Sequence, residues 1–453
     1  MKQYDLSQRD RRVLFFPIFL ASTFYNILDC LSIIIDEAVV GNLFEDTAFG
    51  AINLVEPIKM VESFLYYLII VGGCAMIVRA HGEADTKKMS RLFSHCVTCC
   101  LLLGVIFIGI FTLLRPQLAS LVAKDTPALP YVLEVISWSG LNLLLDPLFA
   151  FLFTFVLYRN GSLLMVLTSL VQIGSNLGLS VILGKRMGIG GVVFATGLSK
   201  ILGILTLCLF FLLKKNRIRL RPYLSLNMAK KLSALSFPES SFLLSISLVE
   251  AVVNKVALDT YGVYALVAAA AAINMYSIII YTSEGISEYE TVALNEYLGQ
   301  GDETRIRQSI RISIRAVIIE GLVFTALYVF LANPIVSIFD IDDPASAALA
   351  SKAIKMMGIL PIPICFTRIL AIFYQYTDRI LRSCFLIHLS WGIFPAAFAF
   401  LLSQIAAEGI PAGIVLGCIL AMLLVLIYVR LGKREKLWYL SPERIESLRN
   451  IQL

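Results

Sequence analysis

Apolar blocks of about twenty residues or more recur along the whole chain, each long enough to cross the ~30 Å hydrocarbon core of a bilayer. Read in order, they fall near 13–40, 48–78, 92–114, 130–157, 162–184, 189–213, 233–258, 264–294, 306–331, 349–376, 380–403 and 409–430. This pattern predicts an all-α integral membrane protein with about twelve transmembrane helices. The polar stretches between blocks are short, so no soluble catalytic or nucleotide-binding domain is expected. The first block is too long for a signal-peptide core and lacks a small-residue cleavage site, so it reads as a retained span.

Polar positions inside the blocks are not scattered. At ~100° per residue, Ser22, Tyr25, Asn26, Asp29, Ser32 and Asp36 fall on one stripe of span 1. Asp36 lies roughly 36 Å of helix rise beyond Arg12, in the outer half of that span. Two carboxylates in one stripe favour a water-filled cavity over plain interhelical hydrogen bonding, because ionisable groups in spans face the interior or a water path. Glu37, rotated by about 100°, faces elsewhere and reads as interfacial or interhelical. In span 7, Ser240, Ser247, Glu250 and Asn254 align. Span 8 carries Asn274, Ser277, Tyr281, Glu284, Glu288, Thr291 and Asn295 on one side.

Span 2 holds Asn53, Glu56, Lys59 and Glu62, and the spacing of the last three permits mutual pairing. Lys59, Lys200, Lys255 and Arg368 are the basic residues well inside spans. Each reads as a counter-ion for a buried acid or a snorkelling side chain, with Lys255 in reach of Glu250 or Glu284. Arg368 shares a face with Gln375. His388 is expected in a hydrogen-bonded structural role rather than a proton relay.

The chain reads as a tandem repeat. "RAHGEADTKKMSR" (79–91) and "NEYLGQGDETRIRQ" (295–308) both set a Gly before an Asp and a basic helix, with Asp85 and Asp302 as expected N-caps. Gly82 and Gly299 are expected to relax the turn. Pro17 matches Pro238, and "LLRPQLASLV" (113–122) matches "FLANPIVSIF" (330–339). Residues 1–213 then form an N-lobe with spans 1–6, and 232–430 a C-lobe with spans 7–12. A basic linker (214–231) joins them, and a tail (431–453) follows. An even number of spans per repeat keeps both copies in one orientation, with a pseudo-twofold axis along the membrane normal, as in some secondary transporters.

Charge gives the orientation. The net charge of +6 is carried by both tails and the even-numbered connections, including Arg79, Lys87, Lys88, Arg91 and the linker. By the positive-inside rule these are cytoplasmic. Only 15% of residues are charged and 58% are hydrophobic, with a mean hydropathy of +0.82. Nucleic acid is therefore not an expected partner. The nine cysteines lie in or beside apolar blocks. "CVTCC" (96–100) reads as small apolar packing rather than a metal or redox site.

"PIFLASTFYNILDCLSIIIDEAVVGN" followed by "AFGAINLVEPI" resembles the opening of multidrug and toxic compound extrusion (MATE) transporters, with Pro17, Asp36 and Gly41 at the family's positions. "IGSNLGLSVILGKRMGIGGVVFATGLSK" (173–200) resembles the family's span 5–6 hairpin, and "LAIFYQYTDRILRSCFLIHLSWGIFPAAF" its span 10–11 hairpin. The resemblance implies two six-helix lobes in a V and no catalytic activity. It implies export of organic cations or amphiphilic drugs in exchange for H⁺ or Na⁺, without a cofactor. Asp36 would be the N-lobe cation-binding carboxylate, with Asn176 near it. Three positions depart from the family. Ser180 stands where an Asp often follows that Asn, and the span 7 acid is Glu250 rather than at Ile246. Span 10 offers Arg368 and no deep Asp.

The combined expectation is a secondary antiporter, monomeric, in the plasma or inner membrane. Its cation or substrate site draws on Asp36, Asp29, Asn26 and Asn176, with Glu250, Asn254 and Glu284 in the second lobe. A flippase of lipid-linked saccharides from the same wider superfamily is the alternative. Deep acids outnumber deep bases, which favours cationic cargo over an anionic pyrophosphate. A channel suits the repeat less well. A membrane enzyme lacks a nucleophile, base or metal cluster among the three histidines at 81, 95 and 388.

Overall fold

A computed structural model describes the backbone of residues 11–44, 46–338, 343–431 and 440–449. Side chains are described over the same stretches, except 11–14, 29–38, 41–42, 46–50, 53, 215, 263–264, 267, 271–272, 338, 429–431, 442 and 449. The chain divides into two units, Met1–Ser236 and Phe237–Gln452.

The first unit contains α1 (Arg11–Leu43), α2 (Asp46–Gly82), α3 (Thr86–Leu113), α4 (Arg115–Ala123), α5 (Leu129–Trp138), α6 (Gly140–Tyr158), α7 (Ser162–Met187) and α8 (Ile189–Cys208). Then α9 (Leu226–Ser240) leads into α10 (Phe242–Val256), α11 (Val263–Gln300), α12 (Glu303–Ile338), α13 (Pro344–Met357), α14 (Pro361–Tyr376), α15 (Ile380–His388), α16 (Phe394–Ser403), α17 (Gly409–Leu431) and α18 (Pro442–Arg449).

Every predicted span is helical. Among the described residues, nine helices are long and apolar enough to cross a membrane, or ten if α13 and α14, bent by 45° at their junction, count as one span. In α1 the described apolar stretch is Phe15–Leu28. Four spans are composite: α5 with α6, α9 with α10, α13 with α14, and α15 with α16. Prolines or a π turn accompany three of these breaks; that between α5 and α6, at Ser139, has neither. Pro238 lies inside α9 and Pro361 opens α14, each removing a backbone N–H from the ladder. Five-residue π turns, Ala257–Tyr261 and Leu389–Ile393, interrupt spans 7 and 11. The short helices α4 and α18 are additions to the sequence reading.

The repeat is written in the backbone. Ala84, Asn160, Gly301 and Asp378 all have positive φ, and the last two follow the first two by 217 and 218 positions. Each stands just past a helix, where a left-handed residue turns the chain back on the last carbonyls. The next residue closes the turn in all four: Asp85 N to Ala80 O (3.0 Å), Gly161 N to Val156 O (2.8 Å), Asp302 N to Tyr297 O (3.1 Å) and Arg379 N to Tyr374 O (2.9 Å). Asp85 caps α3 by accepting from Lys87 N and Lys88 N, and Asp302 accepts from Arg305 N. The caps are as expected, but the turn residues are not. Gly82 and Gly299 remain helical, and the left-handed residues lie two positions later.

In the first unit an aromatic cluster of Phe93, Phe151, Phe155 and Phe211 joins α3 and α6. The basic linker lies along α3: Arg221 N donates to Ser94 Oγ (3.1 Å) and Ser225 N to His95 Nδ1 (3.4 Å). In the second unit α16 and α17 meet through small residues. A Cβ at Gly417 would stand 2.6 Å from the Phe394 backbone. Close backbone approach of this kind is how helices associate without a hydrophobic driving force. The eight described cysteines are free thiols. No group suited to holding a metal ion occurs among the described residues.

Candidate functional site

In the first unit, α1 packs along α7. The stripe of α1 is described at its lower end. Ser22 is buried, and Tyr25 lies 4.2 Å from Phe153 of α6 by ring centroid. Asn26 is half-buried. On α7, Asn176 is buried and accepts from Ser180 Oγ at 3.4 Å. The side chains of Asp29, Asp36 and Glu37, and of Asn53, lie outside the described residues.

An ion cluster lies between α2, α6 and α8. Lys200 pairs with Asp146. Glu62, 5% exposed, faces this pair, and the charges acting on it are those of Asp146, Lys200 and Lys59. Lys59 itself turns to Glu56 at 3.7 Å, with both side chains close to half exposed. The expected trio of span 2 is thus divided. Glu56 and Lys59 share one face, while Glu62 points inward.

The second unit holds a cluster made of the same parts. Pro238 lies in the last turn of α9, and Phe237 O accepts from both Ser241 N (2.9 Å) and Ser241 Oγ (2.6 Å). Glu239, which follows Pro238, pairs with Arg368 of α14. Arg368 Nη2 also donates to Glu284 of α11 at 3.1 Å. The guanidinium carbon stands 4.4 Å from the Phe242 ring centroid and 5.9 Å from that of Trp391. Trp391 reaches this point from the π turn of span 11, a local unwinding common at functional sites. Arg368 is 2% exposed. Aromatic faces add attraction to a desolvated cation. His388 joins α15 to α10, its Nδ1 2.8 Å from Ser245 Oγ and its Nε2 3.2 Å from Ser241 Oγ.

Of the other second-lobe candidates, Glu250 is half-buried and Asn254 is exposed on α10. Lys255 pairs with Asp259 at 3.2 Å, so it does not serve Glu250 or Glu284. A local partner four residues on wins over a distant one because little chain entropy is spent in the meeting.

Two further acids are buried between α11 and α12. Glu320 accepts from Ser283 Oγ (3.3 Å), and Glu290 accepts from Ser313 Oγ (2.7 Å). The sequence reading passed over Asp146, Glu239, Glu290 and Glu320. Asp146 and Glu239 carried a usable signal, since each adjoins a proline inside an apolar run.

A polytopic helical bundle with a tandem repeat and intramembrane ion clusters defines a membrane transporter. Residues 17–182 and 241–401 match the MatE family model, and the chain belongs to that family. Solved structures agree in fold. A crystal structure of MATE in complex with MaL6 aligns at 18% identity over 99% of each chain, with a TM-score of 0.85. A MOP superfamily transporter from Pyrococcus furiosus, described as having a binding pocket of reverse polarity that suggests a different function, aligns at 17% identity over 99% of each chain, with a TM-score of 0.83. An outward-facing multidrug resistance MATE family transporter of the MOP superfamily aligns at 19% identity over 100% of each chain, with a TM-score of 0.82. No curated protein matches.

Proposed function

We propose that this protein is a secondary active antiporter that exports cationic or amphiphilic small molecules in exchange for H⁺ or Na⁺. The observation that carries this reading is the charge balance of the two intramembrane clusters. Glu56, Glu62 and Asp146 are met by Lys59 and Lys200, and Glu239, Glu284 and Glu288 act on one arginine. Acids outnumber bases in both clusters, a field that favours protons and organic cations over anionic cargo. The Pyrococcus furiosus neighbour, by contrast, is described as having reversed polarity in its pocket.

Asp36 is the carboxylate at which a proton and a cationic substrate exclude each other, with Asp29, Asn26 and Asn176 as neighbours on α1 and α7. Glu250, Asn254 and Glu284 serve the substrate path of the second lobe. Ligands bias a rocking equilibrium between inward-open and outward-open states by their differential affinity for the two. The membrane potential adds ~2.3 kcal/mol per charge per 100 mV. The protein works as a monomer in the plasma or inner membrane, with both termini cytoplasmic and no cofactor.

The test is dye efflux from proteoliposomes under an imposed pH gradient and then a Na⁺ gradient, with wild type and Asp36→Asn. Unchanged, still gradient-driven efflux by the variant removes Asp36 from coupling. The alternative, a flippase of lipid-linked saccharides, is separated by comparing uptake of a radiolabelled organic cation with that of a polyprenyl-pyrophosphate lipid.

A further inference from the structure

The two ion clusters share a composition but not a condition. In the second unit a single guanidinium nitrogen, Arg368 Nη2, serves both carboxylates, and the buried atoms of these three side chains with no hydrogen-bond partner among the described residues, Nε and Nη1, belong to the base. In the first unit Lys200 serves Asp146, and Glu62 Oε1 has no hydrogen-bond partner among the described residues. An ammonium is a compact charge on a flexible four-carbon stem, free to move between acceptors, whereas a guanidinium is a rigid fork. An ionised carboxylate deep in a span without a donor costs several kcal/mol. Protonation removes most of that cost, because the neutral acid no longer needs a counter-ion.

Lys59 also acts on Glu62 but pairs with Glu56 at 3.7 Å, and groups on the helices packed against α2 have partners of their own. Glu134 of α5 accepts from Gly190 N (2.9 Å), and Arg115 of α4 donates to Ser137 Oγ (2.9 Å). His95 of α3 lies 3.5 Å from Cys99 Sγ. Tyr66 of α2 bonds Ser63 at 3.0 Å and also lies in the field of Glu62 and Asp146.

We propose that Glu62 and Asp146 are a proton-carrying pair within the first unit, with Lys200 as the counter-ion that moves to whichever of them is ionised. In the arrangement seen Lys200 pairs with Asp146, which leaves the proton of the pair to Glu62, the carboxyl with an unpartnered oxygen. Asp146 and Lys200 keep 21% and 16% exposure of their side chains, so this end of the cluster is the less enclosed one. A proton arriving at Asp146 forms an O–H bond there and releases the ammonium. Lys200 then pairs with Glu62, whose O–H bond breaks as its proton leaves to water. One proton enters, one departs, and the charge of the cluster is the same before and after. The role in transport rests on the antiporter reading. The site itself does not.

Infrared pH-difference spectroscopy on the purified protein tests the site without transport, through the carbonyl-stretch band of protonated carboxyl groups near neutral pH. Glu62→Gln is expected to remove one carboxyl from that band, and Asp36→Asn to leave the Glu62 signal in place. Asp146→Asn passes Lys200 to Glu62 and is expected to remove the same signal. Lys200→Met leaves two acids without a counter-ion, and the signal is expected to rise about twofold. A band unchanged in Glu62→Gln overturns the proposal. Where that variant fails to fold, a band unchanged in Asp146→Asn overturns it equally. If the band behaves as expected while a pH gradient drives no efflux, the pair stands as a protonation site and proton coupling in the antiporter reading falls.

Discussion

Arg368 and Glu239 form an ion pair between α14 and α9, 129 positions apart in the chain, with the guanidinium sealed from solvent at 2% exposure. A buried pair of this kind contributes little net stability compared with apolar packing, but breaking it leaves an uncompensated charge. Glu284, at 3.1 Å, is the second acceptor and shares the load.

Arg368→Gln is therefore expected to destabilise the protein by roughly 3–5 kcal/mol, because two carboxylates lose one counter-ion. Glu239→Gln is expected to cost less, since Glu284 still neutralises the arginine. The double variant should cost less than the sum of the two. Thermal unfolding of the four proteins in detergent measures the coupling, and strictly additive losses would contradict the pairing.

The membrane spans were legible because their apolar runs are long and only sparsely interrupted by charge. Partners within them were not. Spacing tells which face of a helix a side chain occupies, but not what stands opposite. Arg368 could be read only as a counter-ion or a snorkelling side chain, and its partner Glu239 was hidden beside Pro238. Helical spacing permits pairing of Glu56, Lys59 and Glu62, yet Glu62 turns inward while Lys59 turns out to Glu56. The π turns carry no periodic signature, so Trp391 could not be placed beside Arg368 in advance. The repeat was legible, but its turns lie two residues beyond the glycines that suggested them, because Ala84 and not Gly82 takes the left-handed backbone.

Those turns support a direct test. Ala84 has φ 57° and Gly301, its repeat mate, has φ 75°. A Cβ in the left-handed region costs about 1 kcal/mol, offset in part by the greater chain freedom of glycine when unfolded. Ala84→Gly is expected to raise the unfolding midpoint slightly, and Gly301→Ala to lower stability by about 1 kcal/mol. Equal shifts of the same sign would show that the two turns are not equivalent.

A pH effect is expected outside the spans. Asp343 caps α13, accepting from Ser346 N (2.8 Å) and Ser346 Oγ (2.6 Å), and these bonds hold its carboxyl below the ordinary value of 3.8. With the folded value depressed, the contribution is fully present above the unfolded value and is lost as pH falls through the folded one. Asp343→Ala should therefore lower the unfolding midpoint at neutral pH and make no difference in strong acid. A deficit that persists unchanged into strong acid would assign the effect to something other than the charged cap.

The contrast between the clusters predicts opposite partitions of effect. Glu239→Gln opens a closed clamp, so it should act mainly on stability. Glu62→Gln removes the ionisable group and keeps the shape of the side chain, so it avoids the cost of a buried charge without opening a cavity. It is expected to leave the unfolding midpoint unchanged or raised, and to flatten the pH dependence of efflux. Midpoints and pH–rate profiles on the same two variants measure both axes. A loss of stability in Glu62→Gln as large as that in Glu239→Gln would make the first-unit cluster a structural clamp like the second.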